Sequence, residues 1–218
     1  MNHFLQLFLT VLLSVFCCSC ESEDYNDITS SSSETVEKPI ATLFFLGDSI
    51  FDYWKNMSSF FPFYDCRNYG WSAKGIDTFL GKVDVDSLNG SECVVEIGTN
   101  DMRKVIEADT IDKYIDHYVD VLVSLKAKRI YLLSLLPRNR AKDGGYDYNS
   151  RYPEINHKIE ECTRRRMDNI VYISLYDKFL KNGEVNWEYT YDGLHPNAKG
   201  YKIIAEEINK HLIIYSVN

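Results

Sequence analysis

The sequence predicts an α/β protein, a three-layer α/β/α sandwich around a parallel five-stranded sheet. Three observations carry that expectation. Five short segments are apolar and rich in β-formers, helical periodicities lie between them, and the two kinds alternate along the chain. Alternation of this kind implies right-handed crossovers, and ligands of such sheets bind beyond the carboxyl ends of the strands.

The chain opens on an apolar run, residues 4–16, of the size of a signal-peptide core and too short to span a bilayer. It ends in Cys17-Cys18-Ser19-Cys20 and turns acidic at once. A small residue before a Cys at this point resembles a bacterial lipobox, with residues 1–19 as signal peptide and Cys20 as the lipid-bearing residue. The segment before the run has no Lys or Arg, and Cys17 stands where the box prefers Leu, so an ordinary secretory signal is the alternative. Glu21-Ser22-Glu23-Asp24 resembles the tags that route lipoproteins to the cell surface. The expected place is the cell envelope, lipid-anchored to the outer membrane and surface-exposed, with a periplasmic or secreted protein as the alternative. Residues 20–37, acidic and Ser-rich, cannot bury enough apolar surface to fold and read as a disordered tether. The domain then occupies residues 38–218.

The formal charge of −8 is concentrated in that tether. Six acids and no Lys or Arg precede Lys38, which leaves 26 acids against 24 bases in the domain. A near-neutral domain argues against a nucleic-acid partner, so the only membrane contact expected is the lipid anchor. At 218 residues and 45% hydrophobic, the chain can bury one good-sized core.

The strand segments are 41–46, 65–69, 92–97, 129–135 and 170–175, of which the one around Cys66 is the weakest. Between them, Ile111, Ile115, Tyr118, Val119, Leu122 and Leu125 recur at helical spacing, and Ile155, Ile159 and Cys162 do so more loosely. A last helix is expected over about 197–212, with Tyr201, Ile204, Ala205 and Ile208 on one face and Pro196 suiting its first turn. Residues 138–153, with Gly144-Gly145 inside, read as a long loop at the edge where ligands bind. The domain cysteines, Cys66, Cys93 and Cys162, are odd in number and imply no disulfide framework. No Cys/His cluster has metal spacing, so neither a metal nor a cofactor is expected.

Four blocks carry the chemistry: Gly47-Asp48-Ser49, Asn68-Tyr69-Gly70, Gly98-Thr99-Asn100-Asp101 and Asp192-Gly193-Leu194-His195-Pro196. The first three each follow a predicted strand and so converge on one edge of the sheet. Ser49 at a strand-to-helix turn would present its hydroxyl and an unpaired first-turn N–H, although Asp-Ser alone is more often a helix cap. Gly70 lets a substrate oxygen approach its N–H, and Asn100 offers a side-chain amide; alone, each would pass for a loop glycine and a cap. His195 supplies a base for a Ser nucleophile, and Asp192, three residues earlier across a turn with Gly193, can hold the imidazole by one nitrogen. His117, His157 and His211 fall on predicted helices as structural residues.

Order, spacing and strand-end placement of these blocks resemble the SGNH (GDSL-type) hydrolase family. The resemblance implies a flavodoxin-like fold and esterase activity through an acyl-enzyme. It implies Ser49 as nucleophile, Asp192 and His195 as its partners, and Ser49 N–H, Gly70 and Asn100 as the oxyanion hole. The family often has a second Gly three residues after the oxyanion Gly, where this chain has Ala73, with Gly75 nearby.

Aromatic residues crowd the blocks: Tyr53, Trp54, Trp71, Trp187, Tyr189 and Tyr191. Trp54, Trp71 and Trp187, with Asp48, are candidate substrate-binding residues, since aromatic faces stack on sugars; packing of helices on the sheet is the alternative. The leading expectation is a serine esterase acting on short acyl esters, chiefly O-acetyl groups of an acylated small molecule or carbohydrate. A lysophospholipase or thioesterase is the second reading, and a non-catalytic binding lipoprotein the third.

Overall fold

The computed structural model describes residues 41–212, apart from 142. The expected signal peptide (1–19), Cys20 and the tether (20–37) lie outside the described residues. Five strands, β1 (Ala41–Gly47), β2 (Tyr64–Gly70), β3 (Glu92–Glu96), β4 (Arg129–Leu133) and β5 (Ile170–Ile173), form one sheet in the order β2-β1-β3-β4-β5. All neighbouring pairs are parallel, and this order is the flavodoxin-like one. The expected fold class is the observed one.

Alternate side chains of each strand feed two cores, as a pleated sheet covered on both faces requires. On one face Cys93, Val95, Ile130 and Leu132 pack under α3 (Ile111–Ser124) and α4 (Tyr152–Arg166). On the other, Phe45, Val94, Tyr131 and Leu133 pack under α1 (Ser49–Asp52) and α5 (Ala198–Asn209). In α3 the buried positions Ile111, Tyr114, Ile115, Tyr118, Val119 and Leu122 form the continuous stripe that its apolar spacing predicts. The short helix α2 (Met102–Glu107) and a small antiparallel hairpin, β6 (Leu180–Lys181) with β7 (Glu184–Val185), were not among the expected elements.

Of the boundaries that differ from expectation, two lie next to the chemistry-bearing segments. The last helix begins at Ala198, because Asn197 Oδ1 caps it by accepting from Lys199 N at 2.9 Å and Gly200 N at 3.2 Å. Such a cap contributes about 1 kcal/mol. Pro196 instead forms an isolated antiparallel bridge with Thr190. The loop expected over 138–153 ends at Arg151, since Pro153 lies in the first turn of α4, where its missing N–H costs nothing.

Candidate active site

Gly47, at the end of β1, is in register with Gly70 on one side and Glu96 on the other. A Cβ at Gly47 would stand 2.2 Å from the Glu96 carbonyl oxygen, so only glycine lets the chain turn here. Asp48 follows as the N-cap of α1, its Oδ1 accepting from Ile50 N at 3.0 Å. Ser49 is therefore the first helical residue, its N–H at a position with no intrahelical partner.

The far end of the chain meets it there. His195 Nε2 lies 3.0 Å from Ser49 Oγ, and His195 Nδ1 lies 2.8 Å from Asp192 Oδ2. Asp192 Oδ1 accepts from the N–H groups of Leu194 (3.1 Å) and His195 (2.9 Å), which fixes the carboxylate before it meets the ring. The turn depends on Gly193, at φ +82°, whose N–H donates to Thr190 Oγ1 and whose carbonyl accepts from Asn139 N at 2.7 Å. One imidazole nitrogen is thus held by a carboxylate while the other faces a hydroxyl, an arrangement able to take the hydroxyl proton during nucleophilic attack.

The oxyanion side departs from expectation at Gly70. Its N–H donates to Asn68 Oδ1 at 2.9 Å, and the Asn68 amide donates to Phe51 O at 2.8 Å. A Cβ at Gly70 would meet Asp52 N at 2.2 Å, so this glycine admits the backbone of α1 rather than a substrate. Downstream, Trp71 N donates to Gly47 O, Ser72 N to Asp52 Oδ2 and Lys74 N to Trp71 O. Among the described residues of this turn, the N–H groups of Ala73 and Gly75 have no acceptor, and of the two residues Ala73 is the exposed one, at φ +61°. Sequence reasoning passed over Ala73 because a Cβ seldom accompanies left-handed backbone.

Asn100 faces that turn. Its Nδ2 donates to Asp48 Oδ2 at 3.1 Å and to Lys74 O at 2.9 Å. The neighbouring Asp101 holds the same turn from below, with Oδ2 accepting from Ile76 N and from the Tyr114 hydroxyl, each at 2.9 Å. A Cβ at Gly75 would come within 1.8 Å of Asp101 Oδ1, which accounts for the glycine there.

The candidate substrate-binding residues separate into two groups. Asp48 is fully buried beneath Asn100 and cannot touch a substrate. Trp54, 1% exposed, is core: it stacks on Tyr201 at 4.9 Å and packs on Phe45, Phe51 and Phe61. Burial of a large aromatic side chain here outweighs any surface use of it. The Trp71 ring carries Lys74 Nζ at 4.2 Å and Lys82 Nζ at 4.8 Å, so ammonium groups of the protein already meet its π-face. Trp187 is 56% exposed beside the Gly193 turn. Tyr53, half-exposed at the end of α1, sets its ring 4.8 Å from the His195 ring. The remaining described histidines, His117, His157 and His211, stand exposed on or beside helices away from Ser49.

Known proteins share this architecture at low identity. A GDSL-like lipase from Bacteroides thetaiotaomicron is 24% identical with a TM-score of 0.61, over 78% of this chain and 86% of that one. A member of the lipolytic protein G-D-S-L family from Veillonella parvula is 16% identical with a TM-score of 0.61, over 78% and 97%. An acetylxylan esterase from Geobacillus stearothermophilus, solved as a catalytic mutant, is 18% identical with a TM-score of 0.54, over 80% and 95%. Among curated proteins, 84 residues are 39% identical to part of the N-acylneuraminate cytidylyltransferase of Escherichia coli. That stretch is 38% of this chain and only 18% of the relative's length. The model of the GDSL-like lipase/acylhydrolase family matches residues 45–203, a span that holds all four blocks. The chain belongs to that family.

Proposed function

We propose that the protein is a serine esterase that removes short acyl groups through an acyl-enzyme, with O-acetylated carbohydrate as its substrate class. The observation that carries the reading is the relay from Asp192 through His195 to Ser49 Oγ, at 2.8 and 3.0 Å. Ser49 Oγ attacks the ester carbonyl while its proton passes to His195 Nε2. The oxyanion is met by the N–H groups of Ser49 and Ala73 and by the Asn100 amide. Collapse expels the alcohol, which takes the proton from His195; water, activated by the same imidazole, then releases the acid. An oxyanion at this point draws the second Asn100 N–H away from Lys74 O, while the bond to Asp48 stays as its anchor.

Support for a sugar comes from two exposed rings, Tyr53 with its ring 4.8 Å from that of His195 and Trp187 beside the Gly193 turn, which offer flat apolar faces near the site. A solved relative of the same fold is an acetylxylan esterase. The test is a series of nitrophenyl esters from acetate to octanoate and beyond. The acetate should give the highest kcat/KM, and Ser49→Ala should abolish turnover while leaving the circular-dichroism spectrum unchanged. Retention of more than a few per cent of activity, a level far above the residual catalysis of triad-deficient serine hydrolases, removes Ser49 as nucleophile. A preference for long chains replaces the acetylesterase reading with a lysophospholipase or thioesterase.

The lipoprotein reading completes the proposal. A lipidated Cys20 followed by the acidic tether leaves the domain free above the membrane surface, since several acyl chains together anchor firmly where one does not. Cys20→Ser should move the protein from the membrane to the soluble fraction and abolish metabolic labelling with a fatty acid. Wild-type protein found soluble and unlabelled leaves simple secretion in its place.

A further inference from the structure

Glu96 ends β3, in register with Gly47, and is 1% exposed. Neither of its carboxyl oxygens meets an N–H or O–H donor among the described residues. Its side chain lies instead against the carboxyl group of Asp48, which is fully buried. The Asp48 oxygens are already committed: Oδ1 accepts from Ile50 N and Oδ2 from Asn100 Nδ2. Both of those are N–H donors, so the state of Asp48 that suits them is the ionised one.

Two carboxylates cannot share a dry site without strong repulsion and desolvation cost, whereas one shared proton removes most of both. Because Asp48 must accept twice, the proton belongs on Glu96. We propose that Glu96 is a positioning residue: it keeps one proton, donates it as a hydrogen bond to Asp48, and thereby holds Asp48 as the acceptor that aims the Asn100 amide. No bond is made or broken at Glu96 during turnover, and the proton stays on the pair. The inference rests on the proposed role of Asn100 at the oxyanion.

The groups facing the pair fit this assignment. Arg138 favours an ionised Asp48 and Asp101 opposes it. The hydroxyls of Tyr118 and Tyr201 are directed elsewhere, to Ile97 O (3.3 Å) and Ile50 O (2.9 Å). Burial pushes Asp48 up to about 7 and Glu96 well above the carboxylate range, the direction in which one proton is retained between them.

Two variants separate the hydrogen bond from simple filling of space. Glu96→Leu keeps bulk and removes the donor; Glu96→Gln keeps an N–H toward Asp48. With nitrophenyl acetate, Glu96→Leu should lose about 10²-fold in kcat with little change in KM, the scale of a misplaced catalytic group. Glu96→Gln should recover most of that loss, and should lack the alkaline fall in kcat that the wild type shows when the pair gives up its proton. A second readout needs no activity. In the unfolded chain both carboxyls ionise above about pH 4, so folding takes up a proton and stability falls as pH rises from about 4 until the pair gives up that proton, beyond the ordinary carboxylate range. In a Ser49→Ala background, the wild-type pair should show this fall in Tm and Glu96→Gln should show less of it. Wild-type kcat in Glu96→Leu, an unchanged alkaline limb in Glu96→Gln, or parallel Tm profiles overturn the proposal. A wild type without esterase activity sinks the proposed function instead, and the Tm profiles then decide Glu96 alone.

Discussion

Ala73 shows how much a single Cβ can conceal. In this chain the two glycines nearest the turn, Gly70 and Gly75, are used for close packing, against the α1 backbone and the Asp101 carboxylate. The exposed residue whose N–H is left open is an alanine in left-handed backbone, at a cost of roughly 1–2 kcal/mol. Glycine was therefore a sound signal of close approach and a poor signal of what approaches. The same holds for Asp48 and Trp54, whose neighbourhood was legible but whose burial was not. Ser49, Asn100, Asp192 and His195 were legible as candidates because their types and order point to one chemistry, and the fold brings Ser49, His195 and Asp192 into hydrogen-bond range. The open N–H yields a prediction: Ala73→Gly should keep kcat on nitrophenyl acetate, because the backbone shape survives. Ala73→Val, with a β-branch at positive φ, should lower kcat by about 10²-fold, the effect of losing one oxyanion donor. Equal kcat in the two variants would place the donor elsewhere.

At the scale of elements, legibility follows burial. The strands covered on both faces, β1, β3 and β4, have apolar sequences and were readable almost to the residue. β2 is an edge strand with Arg67 and Asn68 exposed, so its polar sequence, YDCRNYG, makes it the weakest of the five strand signals, although its expected span, 65–69, lies within the observed one. The six-residue α2 is too short for periodicity to show. The segment from Thr190 to Asn197 is neither strand nor helix, yet it is tied at every step: Tyr191 N donates to His195 O at 2.9 Å, and the Asn197 amide reaches the carbonyls of Glu188 and Thr190. Gly193 is its weak point. An added Cβ would stand 2.3 Å from Asn139 Cβ and 3.2 Å from the Trp187 ring, in a left-handed conformation. Gly193→Ala should thus shift the turn that carries Asp192 and His195, cutting kcat by about tenfold or more while lowering stability by about 1–2 kcal/mol. Kinetics and a denaturant titration on the same sample read both effects, and an unchanged kcat means that the turn moves without its histidine.

Across the whole molecule, the loop after β4 joins parts that the sequence kept far apart. Its base is structural. Arg138 donates to Thr99 O at 3.1 Å, beside Asn100, and is paired with Asp143. Asn139 N holds the Gly193 carbonyl, and Asn149 returns to Arg138 through both amide atoms. The loop therefore braces the Asn100 block against the His195 block, a role that its polar, Gly-containing sequence did not disclose. Its tip differs: Gly144 and Gly145, both at positive φ, have nothing within 4 Å of where a Cβ would sit. Base and tip should separate in experiment. Arg138→Ala unties the loop from Thr99 and leaves Asp143 without its cation, so it should reduce hydrolysis of nitrophenyl acetate and of acetylated sugars alike, by about tenfold. Deleting Gly144 and Gly145 touches neither brace, so nitrophenyl acetate should still be cleaved at close to the wild-type rate. The relative kcat/KM among acetylated sugars should change, because only a bulky alcohol extends far enough from Ser49 to meet the tip. If the deletion lowers both activities equally in a folded protein, tip and base act as one unit and the loop belongs to the catalytic framework throughout.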